Sequence, residues 1–223
     1  MADDIGRRPI PARQMRITQA AARLMAARGL TPNMISGFGL AAGVGAGTAL
    51  ALTQVFPEAA RALWLAAAVM VLLRGLSNMF DGMVAVEQDK GTATGALWNE
   101  VPDRVSDVAL LVGAGYGLGG SPLAGWLAAC LALLVAYVRA IGVLAGAPAD
   151  YRGVFAKQQR MFTVAGLAVL LAVAPESWRF TWGPGGAWGP MAAWLWIMVP
   201  GTAHTALVRL RRASAFLNQA DHQ

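Results

Sequence analysis

Residues 74–107 read RGLSNMFDGMVAVEQDKGTATGALWNEVPDRVSD, and the reading of this stretch decides the fold. It opens at the end of an apolar run, LWLAAAVMVLL, with Arg74, Asn78 and Asp81 as the polar residues. After the link VEQDKGTAT a second run begins at Gly95 and carries Asn99, Asp103 and Asp107 at successive four-residue steps. At about 100° per residue, those three lie at about 0°, 40° and 80° around a helix, so they share one face. With Asn78 as zero, Arg74, Asp81 and Ala85 lie at about −40°, −60° and −20°. The spacing predicts two consecutive helices whose polar stripes face each other.

The rest of the chain is unlike a soluble protein. It is 223 residues long, 57% hydrophobic and 13% charged, whereas about a quarter of a soluble domain is charged. Repeated long apolar stretches predict an all-α integral membrane protein with six transmembrane helices. The spans fall at about 33–54, 61–85, 94–117, 123–145, 161–174 and 190–208, lengths set by the thickness of a bilayer. Ahead of them, residues 10–28 place Arg13, Arg16, Arg23 and Arg28 among Ile17, Ala20, Leu24 and Met25. That pattern predicts an N-terminal amphipathic interfacial helix on an anionic leaflet. Three regions follow: 1–28, a tail and amphipathic helix; 29–212, the membrane domain; 213–223, a C-terminal tail. The lone Cys130 sits in an apolar run and offers no disulfide framework. The first residues are polar and basic, so no cleavable leader is expected. No basic run is interleaved with aromatics, which argues against a nucleic-acid partner.

Gly43 and Gly47 in the first span form a small-xxx-small pair that allows close helix approach. Orientation follows from Lys and Arg. With both termini in the cytoplasm, that side holds six Arg before residue 29, Lys90, three basic residues in 146–160 and three in the tail. The other side holds only Arg61 and Arg179. This bias places Asp81 and Asn99 near the cytoplasmic face, in what is expected to be a bacterial inner membrane.

The 78–103 stretch resembles the signature of the CDP-alcohol phosphatidyltransferases, D-x2-D-G-x2-A-R-x8-G-x3-D-x3-D. Here it reads Asn78-x2-Asp81-Gly82-x2-Ala85-Val86-x8-Gly95-x3-Asn99-x3-Asp103. Every gap matches; Asn78 and Asn99 replace Asp, and Val86 replaces Arg. Asn99-Glu100, Asp103 and Ser106-Asp107 are similar to a variant branch of the family. Ser36, three residues beyond Asn33, is a second, weaker match. The resemblance implies transfer of a phosphatidyl group from a CDP-linked lipid such as CDP-diacylglycerol to a small polar alcohol or polyol phosphate. CMP is released and Mg²⁺ or Mn²⁺ is required. It also implies a homodimer surrounded by membrane lipids.

Carried over by position, Asn78, Asp81, Gly82, Ala85 and Gly95 cradle the nucleotide, and Asp81 and Asp103 bind metal. Asp103 is also the candidate catalytic base. The Asn78 and Asn99 carbonyls can ligate metal without charge. Asp107 and Glu100 lie on or near the same face and are expected to be recruited as extra carboxylates, Asp107 among the catalytic residues. Hard divalent cations favour such oxygen donors. Arg139, Arg152, Lys157 and Arg160 are expected around the same mouth as acceptor-binding groups, since Arg recognises phosphate in bidentate fashion. Two other readings stand beside these. Arg74–Asp81, Asp103–Arg104 and Arg139 could form plain buried ion pairs. The whole chain could be a non-catalytic lipid- or nucleotide-binding homologue with a degraded metal site.

Overall fold

The computed structural model describes residues 15–87 and 95–220. Residues 10–14 of the expected amphipathic helix and 88–94 of the link lie outside the described residues. Seven α-helices follow in order: α1 Arg16–Ala27, α2 Pro32–Val55, α3 Ala60–Glu87, α4 Gly95–Tyr116, α5 Pro122–Leu144, α6 Lys157–Val173 and α7 Pro190–Ala220. Among the described residues there are no strands, only an isolated bridge between Trp182 and Trp188. Local chemistry sets the starts of α2 and α5. The Thr31 hydroxyl accepts from Met34 N and the Ser121 hydroxyl from Ala124 N, and Pro32 and Pro122 occupy the first helical position, where no N–H is needed.

Four helical segments are long and apolar enough to cross a membrane: α2, α3 with the turn before it, α5 and α7. The chain is therefore an all-α membrane protein with four clear candidate spans. The other two expected spans differ for physical reasons. Helix α4 carries Glu100, Asp103, Arg104 and Asp107, and α6 has only 17 residues and begins with charge. Large apolar side chains face outward, among them Leu65, Val69, Leu72 and Leu76 on α3 and Leu123, Leu134 and Ile141 on α5. A soluble protein rarely shows so much contiguous apolar surface, but lipid tails accept it.

Helix α2 links α3 to α4. It packs along both α3 and α4, while α3 and α4 make little direct contact; α4 continues to α5, α5 to α7, and α3 to α6. The two polar stripes meet through the long Arg74 side chain, which contacts Asp103, rather than through direct packing of α3 on α4. Glycine makes this possible. A Cβ on Gly47 would lie 2.1 Å from Ala109 O, and one on Gly113 would lie 2.1 Å from Gly47 O, so the two backbones touch where α2 crosses α4. A Cβ on Gly43 would collide with Ser106 at 2.5 Å. The predicted Gly43/Gly47 pair is indeed a packing surface against α4, while Gly39, one turn earlier, packs against Ser77 and Arg74 of α3.

At the other end of the bundle the chain forms an aromatic cap. Trp182 and Trp188 exchange backbone hydrogen bonds of 2.7 and 3.0 Å, and their rings pack edge to face with centroids 5.0 Å apart. The Arg179 guanidinium lies 4.9 Å from the centre of the Trp64 ring.

Candidate active site at the polar end of the bundle

The functional side chains gather where α2 begins, α3 nears its end, α4 starts, α5 ends and α6 starts. Asp81 on α3 is buried, 6% exposed, and its Oδ2 accepts a 2.9 Å hydrogen bond from the Ser36 hydroxyl on α2. Its Oδ1 accepts from Gly82 N at 2.6 Å. Asp81 has no ion-pair partner among the described residues.

Asp103 on α4 is equally buried but is held by cations. Arg74 Nη2 contacts its Oδ1 and Lys157 Nζ its Oδ2, with Arg104 Nη2 at 3.6 Å from Oδ2. Arg74 reaches Asp103 from α3 by crossing α2 at Gly39, where a Cβ would stand 2.9 Å from Arg74 Nη1 and 2.8 Å from Ser77 Cβ. The partner of Arg74 is therefore Asp103, not the Asp81 suggested by nearness in sequence. Asp107, 2% exposed, accepts from Arg160 Nη2 at 2.5 Å. Arg160 also donates to Phe155 O at 2.7 Å and is itself 1% exposed. Glu100, at the rim, pairs with Arg139 at 2.5 Å and with Arg104 at 3.1 Å.

The basic residues expected in one loop thus divide. Helix α6 begins at Lys157, so Lys157 and Arg160 point into the site from its first turn. Arg139 joins them from α5 and also lies 5.1 Å from the centre of the Tyr151 ring. Arg152 does not join them. It is exposed, bonds Asp150 through its own N–H and guanidinium at 2.9 Å, and its carbonyl accepts from Arg209 Nε at 2.9 Å. Asp150 also accepts from Arg212 Nη1 at 3.2 Å. Burial acts to raise the Asp150 carboxyl, but the Arg152 and Arg212 donors outweigh it and bring it down to about 2. Whatever this clasp adds to stability is complete above the ordinary carboxylate range of about 4 and disappears only as pH falls through about 2.

Asn78 is half-buried on α3, with Gly82 and Ala85 in the turns that follow, and Gly95 opens α4. The side chain of Asn99 lies outside the described residues. Among the described residues, no three acidic, His or Cys side chains close into a ready-made metal cage. Glu100, Asp103 and Asp107 are instead each paired with cations. The donor chemistry nevertheless suits a divalent ion. Asp81 and Asp103 offer carboxylate oxygens from two helices, and buried Asp103 Oδ1 has no aligned hydrogen-bond donor despite its charge contact with Arg74. Ser36 and Arg74 were not among the site residues singled out from sequence. Ser36 carried a weak spacing signal, and Arg74 was visible as an intramembrane charge.

Comparison with known proteins points to one family. The family model for CDP-alcohol phosphatidyltransferase matches residues 29–206. The phosphatidylinositol phosphate synthase of Mycobacteroides abscessus is 27% identical over 201 residues, covering 87% of this chain and 82% of that protein. The enzyme of the same name from Mycolicibacterium smegmatis is 31% identical over 166 residues, covering 70% of each. Among solved structures, Mycobacterium tuberculosis phosphatidylinositol phosphate synthase with CDP-DAG bound superimposes with a TM-score of 0.69 at 25% identity, covering 89% of this chain and 94% of that one. The same enzyme in complex with manganese and citrate gives a TM-score of 0.68 at 24% identity, covering 88% of each chain. A signature with every gap preserved, its acids buried at one end of an apolar bundle and a family match across most of the chain lead to one conclusion: this protein belongs to the CDP-alcohol phosphatidyltransferase family.

Proposed function

We propose that the protein transfers a phosphatidyl group from CDP-diacylglycerol, or a closely similar CDP-linked lipid, to a small polyol phosphate, with release of CMP. One observation carries the reading: Asp81, a buried carboxylate with no ion-pair partner among the described residues, lies at the same polar end of the bundle as the cations Arg74, Arg139, Lys157 and Arg160. The acid side suits a divalent cation and the basic side suits anionic substrates. Asp81 and Asp103, with the carbonyl of Asn78, would hold Mg²⁺ or Mn²⁺. When bound, that ion neutralises charge on the pyrophosphate as the leaving group departs.

The remaining chemistry belongs to the chain. The acceptor hydroxyl oxygen forms a bond to the phosphorus carrying the diacylglycerol. The bond from that phosphorus to the CMP oxygen breaks, and the hydroxyl proton passes to the Asp103 carboxylate. Lys157 and Arg139, at the rim, receive the acceptor phosphate. Asp107 fixes Arg160 and with it the first turn of α6, so it acts as a positioning residue. Gly82 leaves room beside Asp81 for the nucleotide.

The same reading has six spans. The charges of α4 are paired inside the bundle rather than turned to lipid, which lets that helix cross. Helix α1 packs Ala22 on Ile35 and Val84 and leaves Ile17 and Leu24 exposed, as suits a helix lying on the membrane surface. Both termini and the site then face the cytoplasm, and the chain works as a homodimer.

The deciding experiment is CMP release by the purified full-length protein with CDP-diacylglycerol and matched polyols and polyol phosphates. Turnover is expected with a polyol phosphate, lost in excess chelator and restored by Mg²⁺ or Mn²⁺. Preference for an unphosphorylated alcohol would overturn the acceptor reading. Full activity in chelator would overturn the metal reading.

A further inference from the structure

We propose that the Lys157 ammonium is a resident counter-cation of Asp103, which a divalent cation displaces on binding, so that competition with Lys157 sets the affinity of the site for metal. The inference rests on the divalent-cation reading given above.

Three cations lie within ion-pair distance of Asp103: Arg104 stands back at 3.6 Å and is bonded to Glu100, while Arg74 and Lys157 are in contact, and those two are not equivalent. Arg74 is sealed in: its side chain is 3% exposed and its guanidinium lies in the Gly39 notch, against the backbone of α2. Moving it would strand a charge in the bundle, which is strongly unfavourable. Lys157 stands at the first residue of α6, and its side chain is 18% exposed. Its ammonium is a compact, strongly hydrated charge on a flexible four-carbon stem. Such a group leaves a site easily if water is within reach.

The contact that Lys157 makes is also incomplete. Its Nζ is buried and in ion-pair contact with Asp103 Oδ2, yet none of its three N–H donors has an acceptor in hydrogen-bonding geometry. Charge attraction alone holds it. The full cluster points the same way. Glu100, Asp103 and Asp107 are each already paired with a cation, and Asn78 and Asn99 bring no charge where the family signature has Asp. Among the described acids of the cluster, Asp81 alone is bonded solely to neutral groups, Ser36 and Gly82 N. A divalent ion attracted to Asp81 gains Asp103 as a second carboxylate only if a unit of positive charge leaves it, because like charges a few ångströms apart in a partly buried site repel strongly. Arg104 is farther off and already donates to Glu100, so of the two cations in contact Lys157 is the one able to go.

The test uses full-length protein in detergent without substrate. Mn²⁺ binding is followed by the electron paramagnetic resonance of free Mn²⁺ for wild type, Lys157→Met, Lys157→Gln and Lys157→Arg. The Met and Gln variants are expected to bind Mn²⁺ about tenfold more tightly than wild type, as removal of one nearby unit charge implies. The Arg variant should bind no more tightly than wild type. A second readout needs only wild type: the Lys157 amine should be acylated severalfold faster, by mass spectrometry, when Mn²⁺ is present. Equal Mn²⁺ affinities, or acylation unchanged by Mn²⁺ in protein that binds it, would overturn the competition and leave the metal reading intact. No binding by any form would overturn the metal reading, and the inference with it.

Discussion

The two ends of the bundle keep polar groups inside in opposite ways. At one end Asp103, Asp107, Arg74 and Arg160 are buried as ion pairs drawn from α3, α4 and α6. At the other, the cap over 175–189 uses indole rings, one backbone bridge and a single arginine laid on Trp64. Tryptophan suits the boundary between water and lipid, with its apolar body and one donor, and holds an end in place at little electrostatic cost. Buried ion pairs are a poor way to gain stability, since desolvation offsets most of their attraction. This contrast is what marks the ion-paired end as the candidate place for chemistry.

The largest effect expected from breaking this contrast is at Asp103. Asp103→Asn should lower CMP release by about 10²–10⁴-fold, the usual contribution of a positioned acid or base. Activity within a fewfold of wild type would move the base elsewhere.

Next comes Arg160. Arg160→Met leaves Asp107 buried and unpaired and should cost about 3–5 kcal/mol of stability. The double change Arg160→Met with Asp107→Leu should recover much of that loss without restoring full turnover. Thermal unfolding in detergent reads the first effect and CMP release the second. If the double variant is fully active, the pair does nothing for the site.

Smallest is the cap. Trp188→Ala removes an edge-to-face partner of Trp182 and should cost about 1–2 kcal/mol, mostly packing and ring contact. Its kcat and KM should stay near those of wild type. A large loss of turnover would mean that the two ends are coupled and the contrast is false.

Much of this was legible in the sequence because hydrophobic periodicity reports which face of a helix is polar. The limits of α2, α3, α4 and α5 fall within a few residues of the expected spans, and Gly43 and Gly47 pack as their spacing suggested. Periodicity does not report which neighbour a face meets. The placement of α2 between α3 and α4 depends on the Gly47–Gly113 crossing, and nothing in the spacing of 78–103 reveals it. For the same reason the alternative reading pairs Arg74 with Asp81, two turns away on its own helix, whereas its long side chain crosses the Gly39 notch to another helix. Arg152 illustrates a further limit. Basic residues close in sequence to Lys157 and Arg160 looked equivalent, but the bonds to Asp150 turn Arg152 away from the cluster.

The pairing of α4 also bears on how the protein is made. A helix carrying Glu100, Asp103, Arg104 and Asp107 enters lipid poorly by itself, at about 2.5–3.5 kcal/mol for each charge near the middle. Arg74 precedes it in synthesis, but Arg139, Lys157 and Arg160 do not, and Arg160 follows Asp107 by 53 residues. In the six-span reading, α4 therefore leaves the ribosome before most of its counter-charges exist. Its insertion is completed only when α5 and the first turn of α6 arrive, so the active site and the membrane topology are finished in the same step.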